Sequence, residues 1–418
     1  MRNMERLAFS LAMLACISLC VNPAIAFDYT LDIFGNANMD DTIDEEDVEY
    51  VQGIIDGTNE ATELADANND GNIDEDDIAQ IDLIIRGEET ELTITDDLGE
   101  IVTVSRPLER AVVTCSDSLE LLRSIKVESD RIVGVDSGIQ SGAYESHYKA
   151  FYPEYQDKPG IGSNDPESIL SLDPDVAIVW RSEVYGTTEK TVDILKSAGI
   201  PVISTYGGVA DEGMRKCAIK YGYLFGKRDE AEEFIDWYEG VLNQIEETVE
   251  EIPEDEKPTV YVEGYQKWYL PGEDRDRVGY AGGKNIFQVQ GNANPEEVID
   301  RNPDIIIKTP WGIGGYYVDA DDTADLEDVR AEIMSRPELQ SVSAVKDGRV
   351  YVINGYITTW GPSAGSRGFI SVAYMAKWFN PEFFSDFDPQ AIHQEYLTRF
   401  QGLDIDLNEK GVFVYPPL

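Results

Sequence analysis

Histidine is almost missing: the 418 residues hold two. With so few, and with no close Cys/His cluster, neither a zinc enzyme nor a nucleophile–histidine pair finds support. Cysteine is nearly as scarce at four, and Cys16 and Cys20 stand ahead of Val21 in a leader-like stretch. The other two, Cys115 and Cys217, do not make a disulfide framework, and spacing leaves open whether they pair. Basic residues are outnumbered 33 to 81, for a net charge of −48. So acidic a surface repels nucleic acid and anionic lipid within a Debye length, and neither is expected as a partner.

What is present suffices for packed cores: 42% of the residues are hydrophobic, so global disorder is not expected. The length suggests two or three folding units. Residues 1–26 read as an export signal, with Arg2 and Arg6, an apolar stretch from Leu7 to Val21, and the cleavage-type run Ala24-Ile25-Ala26. The stretch is short for a membrane span, which needs about 20 residues. Met13-Leu14-Ala15-Cys16 is a loose lipobox. Release outside the cytoplasm and a tether on the outer face of the membrane, by lipid or uncleaved signal, both stay open.

A pattern at 36–47 (N-A-N-M-D-D-T-I-D-E-E-D) returns at 66–77 (D-A-N-N-D-G-N-I-D-E-D-D), and each copy runs into an apolar helical face. Val48, Val51, Ile54 and Ile55 form the first face; Ile78, Ile81, Ile84 and Ile85 form the second. Gly57 and Gly87 are suited to end the helices. Calcium takes about six to eight oxygens, supplied by a loop at positions 1, 3, 5, 7, 9 and 12. The first loop offers Asn36, Asn38, Asp40, the Thr42 carbonyl, Asp44 and Asp47; the second offers Asp66, Asn68, Asp70, the Asn72 carbonyl, Asp74 and Asp77. Asp41 stands where the second loop has Gly71, and Asn36 replaces a carboxylate, so the first site should be weaker. The duplicated loop-and-helix with Asp at position 12 resembles a type I dockerin module over residues 31–87. That resemblance implies bound Ca²⁺ and docking on a cohesin domain.

From Leu92 onward short β-rich runs alternate with helical ones, as in α/β folds. The spacing predicts strands at 110–114, 131–135, 176–180 and 201–205, then at 259–263, 305–308 and 350–353. A long helical region lies between the sets, pausing at Gly226 and resuming with Asp229 as its expected N-cap. The two sets echo each other. Pro166-Glu167-Ser168-Ile169-Leu170 leads to Asp173-Pro174-Asp175, and Pro295-Glu296-Glu297-Val298-Ile299 leads to Asn302-Pro303-Asp304. Two similar three-layer α/β lobes joined by a long helix, preceded by a small all-α module, are the expected architecture. The divisions fall at 92–210 for the first lobe, 211–252 for the helical link and 258–405 for the second lobe.

This order, with Ile161-Gly162-Ser163, Leu224-Phe225-Gly226-Lys227, Ala281-Gly282-Gly283-Lys284-Asn285 and Val345-Lys346-Asp347-Gly348-Arg349-Val350-Tyr351, resembles the helical-backbone substrate-binding proteins of siderophore, haem and vitamin B12 importers. The resemblance implies a metal chelate (ferric siderophore, haem or corrinoid) held between lobes and handed to an ABC-importer permease, with no catalysis. Residues after strand ends are then the candidates: Ser116, Asp117, Ser118, Trp180, Arg181, Tyr185 and Tyr206 in one lobe. The other lobe supplies Tyr265, Trp268, Tyr269, Lys308, Trp311, Tyr356, Trp360 and Arg367. Aromatics suit a flat or bulky organic ligand, and Arg and Lys suit its carboxylates. Glu167 and Glu296, at matching places, are the expected contacts to permease arginines; the alternative is charge complementing helix dipoles. Two other readings remain: a metallocofactor enzyme on the same fold, and a cohesin-anchored surface scaffold.

Overall fold

The computed structural model describes residues 29–139, 151–182, 186–205, 212–271, 274–310, 322–354, 357 and 367–418. The expected export signal at residues 1–26 lies outside them.

The front module contains helices α1 (Glu45–Ile55) and α2 (Glu75–Arg86). Each starts with the same reciprocal cap. The Asp44 side chain caps α1 while Asp47 reaches back to the Asp44 backbone, and Asp74 and Asp77 repeat this on α2. Gly87 closes α2 at φ +67°, a conformation that costs glycine little. The buried Val51 and Ile81 meet in a shared core.

Strands β1 (Glu91–Thr95) and β2 (Ile101–Ser105) form an antiparallel hairpin with its own sheet. The first lobe follows with β3 (Ala111–Val113), helix α3 (Ser116–Ser124), β4 (Ile132–Asp136), β5 (Gly160–Ile161), β6 (Val176–Trp180) and β7 (Val202–Thr205). Its sheet runs β5-β4-β3-β6-β7, all parallel. An approach helix, Glu212–Phe225, leads to the spine, Arg228–Glu250. At 23 residues the spine is about 35 Å long. Its N-cap is Lys227, two residues ahead of the expected Asp229, which instead adds negative charge to the first turn.

The second lobe contains β8 (Thr259–Glu263), β9 (Tyr269–Leu270), β10 (Lys284–Asn285), β11 (Gly291–Asn292), β12 (Ile305–Lys308), β13 (Val350–Ile353) and β14 (Val414–Tyr415). Its main sheet runs β10-β8-β12-β13-β14, with only β14 antiparallel. The two main sheets are therefore separate, each continuous and five-stranded.

The internal echo has a physical basis. β6 lies beside β3 just as β12 lies beside β8. Asp175 Oδ2 accepts the Glu109 and Arg110 amides, both at 2.8 Å, at the start of β3. Asp304 Oδ2 accepts the Thr259 amide at 2.8 Å and its hydroxyl at 2.7 Å at the start of β8. Two residues before each of these, Asp173 (φ +47°) and Asn302 (φ +42°) turn left-handed, which short polar side chains tolerate best. The repeated Asx-Pro-Asp triplet is thus the device that aligns one strand of each sheet with its neighbour.

The C-terminal segment returns to the first lobe. The helix Gly368–Phe379 and the π-helical turn Tyr396–Phe400 pack on the spine, with Trp237 edge-on to Phe369 at 5.4 Å and Phe234 edge-on to Phe400 at 5.2 Å. His393, on this segment, is fully buried, and desolvation lowers its pKa to about 3. It is a core group.

Candidate functional site

Parallel strands end at the same edge of their sheet, so the loops after β3 and β6 share one edge of the first lobe and those after β8, β12 and β13 one edge of the second. Of the fifteen cleft candidates, Tyr185, Tyr206, Trp311, Tyr356 and Trp360 lie outside the described residues.

After β3, α3 starts with Ser116, Asp117 and Ser118. The N-cap residue Cys115 contributes no side-chain cap. The Ser116 carbonyl accepts the Tyr152 hydroxyl at 3.0 Å, and Ser118 Oγ accepts the Tyr221 hydroxyl at 2.9 Å. Asp117 meets Arg367, which follows β13 of the opposite lobe, with Nη2 3.9 Å from Oδ1. Burial pushes the Asp117 carboxyl up to about 6, against the pull of Arg367. Arg367 also forms an ion pair with fully buried Glu120, whose carboxylate takes the Tyr396 hydroxyl as well. Two candidates chosen from different lobes are thereby brought together, where α3 of one lobe meets the chain returning from the other.

Trp180 ends β6 and is 37% exposed. Arg181 is directed elsewhere: it bonds Glu100 on the hairpin at 2.8 Å and pairs with Glu189.

In the second lobe a tight loop follows β8. Trp268 has φ +64°, unusual for a bulky side chain. Its amide donates to Glu263 Oε2 at 2.8 Å, and its ring stacks toward Tyr261 at 6.5 Å under the Arg336 guanidinium. Glu263 is fully buried and also accepts Lys308 Nζ at 2.9 Å and two Arg336 nitrogens at 2.7 and 2.8 Å. Lys308 further donates to the Gly264 carbonyl at 2.5 Å. Its ammonium thus braces the loop from inside. What the loop presents outward is Tyr265, 40% exposed, with the Tyr269 ring 4.7 Å away. The sequence reading did not single out Glu263, Arg336, Glu120 or Tyr396. Only the first carried a signal, as a charge ending an otherwise apolar strand.

Glu167 and Glu296 occupy equivalent ground. Each follows the proline that starts a short helix, Pro166–Ser171 or Pro295–Arg301, and each is exposed. The caps are the neighbouring Asp165 and Asn294 side chains, which leaves both glutamates facing outward.

In each front loop the last aspartate accepts backbone amides from within the loop. Asp47 accepts the Asn38 amide at 3.1 Å and the Asp44 amide at 2.9 Å; Asp77 accepts those of Asn68 at 3.2 Å and Asp74 at 2.8 Å. Burial raises the Asp47 carboxyl to about 6, and the charges of Asp40 and Asp44 add to the rise. Asp77 is raised likewise, with Asp66 and Asp74 contributing. Neighbouring carboxylates repel one another, and a cation among them would relieve that repulsion. The donors are all oxygens, which fits Ca²⁺. Among the described residues no group of three or more His, Cys, Asp or Glu is placed to hold a metal ion, and each loop's set mixes its acids with amides and a backbone carbonyl.

The family model described as periplasmic binding protein matches residues 112–356. An uncharacterised ABC transporter substrate-binding lipoprotein of Bacillus subtilis, YvrC, is 22% identical over 304 residues, covering 71% of this chain and 87% of the relative. The molybdate-binding protein MolA of Haemophilus influenzae is 23% identical over 335 residues, 73% of this chain and 90% of the relative. The solved structure of the TroA-like periplasmic binding protein FepB from Veillonella parvula superposes with a TM-score of 0.61 at 24% identity, covering 77% of this chain and 98% of that one.

Proposed function

The chain belongs to the periplasmic binding protein family, and we propose that it captures a metal chelate outside the cytoplasm and delivers it to the permease of an ABC importer. Its relatives are transport proteins that bind substrate rather than enzymes, and no helix among the described residues is long and apolar enough to cross a membrane.

One observation carries the choice of a chelate over a bare oxyanion such as the molybdate bound by MolA. An oxyanion needs cations or convergent donors. Among the described candidates, Arg181, Lys308 and Arg367 are each committed to carboxylates of the fold. Aromatic faces stay available: Trp180 at the end of β6, and Tyr265 beside Tyr269 after β8. Such faces favour an extended organic ligand such as a ferric catecholate, haem or a corrinoid.

Titration calorimetry with ferric catecholate, haemin and cyanocobalamin tests this reading. Whichever binds, Trp180→Ala and Tyr265→Ala should each weaken it by about fivefold, close to 1 kcal/mol, with unchanged unfolding midpoints. Unchanged affinity in both variants would remove these residues from the site; tight molybdate binding with no chelate bound would overturn the ligand class. Glu167 and Glu296 are the proposed permease contacts, and the two front loops the proposed Ca²⁺ sites. A cohesin partner rests on the resemblance of residues 31–87 to dockerins.

A further inference from the structure

The front module does not hang from the large domain by a linker. Ile33, just ahead of the first loop, bridges Ile94 on β1, and on either side Phe34 N donates to Thr93 O and Thr95 N to Asp32 O, both at 2.9 Å. The hairpin in turn holds the edge strand β7, where Ser204 N donates to Asp96 Oδ2 at 3.0 Å. Lys220 of the approach helix donates to the Thr95 carbonyl at 2.9 Å.

The two duplicated loops stand in different surroundings. Hydrogen bonds of Asp66, Asn68, Asp70, Asp74 and Asp77 close within the second loop, whose tip is exposed and turns at Gly71 with φ +93°. The first loop is pressed against the approach helix. Asp41, in the place of that glycine, reaches Arg215 at 3.6 Å, and Arg215 bonds Glu239 of the spine at 2.6 Å. Lys216 of the same helix pairs with Asp32 just ahead of the loop.

We propose that calcium in the first loop acts as a brace on the helices joining the lobes, while the second loop binds calcium without reaching them. The inference rests on the calcium reading given above. Asp41, Thr42 and Ile43 lie between Asp40 and Asp44, two of the proposed calcium donors, with the Thr42 carbonyl itself in the proposed set. A cation that fixes Asp40, Thr42 and Asp44 also fixes Asp41 between them, the residue that reaches Arg215. Ordering them in advance lowers the entropy cost of docking, and linkage requires the docked helices to favour the cation in return. The Asp at loop position 6 is then a contact to the approach helix, whose Arg215 in turn bonds the spine.

Amide exchange of the whole chain, read by mass spectrometry in calcium and in EGTA, tests the proposal. Calcium should slow exchange in residues 36–47 and also in 212–225, there by about tenfold. Asp40→Asn should abolish both effects and Asp70→Asn neither. Arg215→Ala should keep protection within 36–47 while losing it in 212–225. Protection of 36–47 with none in 212–225 of the unaltered chain would overturn the brace and leave the calcium reading standing. No protection of either loop would overturn both.

Discussion

Glu263→Ala is expected to destabilise the second lobe by about 3–5 kcal/mol, because it strands two cations in the interior. Lys308 and Arg336 are both buried, and Glu263 is the carboxylate they share. Glu332 compensates Arg336 from a more exposed position but leaves Lys308 without its ion-pair partner. Burial alone would raise the Glu263 carboxyl; the hydrogen bonds from Arg336 and the charge of Lys308 outweigh it and hold the group below the ordinary range. A carboxyl depressed in the folded state contributes stability above its unfolded pKa, about 4.3, and that contribution is lost as pH falls through the folded value. Urea unfolding followed by tryptophan fluorescence should therefore show the Glu263→Ala deficit fully at pH 7 and shrinking in acid. A loss below about 1 kcal/mol at pH 7 would mean that the pocket rehydrates and the cluster is not the brace described.

Glu120→Ala should cost a similar amount, about 3–5 kcal/mol, and should act between structural units. Glu120 sits on α3 and its partners Arg367 and Tyr396 on the returning C-terminal segment. Asp117 remains near Arg367, but at 3.9 Å and less buried it replaces little of the lost pairing. Gln401 ties the same surfaces through Ser124 Oγ at 2.6 Å and Arg123 at 2.8 Å. Limited proteolysis of Glu120→Ala should accordingly open the 367–403 segment before either sheet is attacked. Glu120→Gln, which keeps an acceptor for Tyr396, should recover part of the loss. Cleavage spread evenly over the chain, or no change, would contradict a seam held at this point.

Much of the fold was legible because the central strands are unbroken apolar runs between turn residues. The runs at 176–180, 259–263, 305–308 and 350–353 form strands over those same residues. The echo around Pro166 and Pro295 was also readable, since the aspartates that align the strands recur at one spacing. The hairpin 91–105 was harder, because its strands alternate and stand outside both main sheets. The surroundings of the candidate residues were less legible. Strand ends put Asp117, Trp180, Tyr265 and Arg367 forward as candidates, but sequence order carries no sign of which charge meets which. Lys308 looked like a free cation at a strand end, yet its partner Glu263 belongs to the adjacent strand. Glu120 and Arg367 are joined only by the chain's return to the first lobe. Asp41 looked like a defect in a metal loop until Arg215 stood opposite it.

Native mass spectrometry of the exported protein, purified from cells growing on limiting metal, tests the central claim most directly. A single chelate bound per chain, released on unfolding and carrying one metal ion, is the expected spectrum. A ligand-free chain that also takes up no ferric catecholate, haemin or corrinoid on titration would contradict the assignment of a chelate carrier.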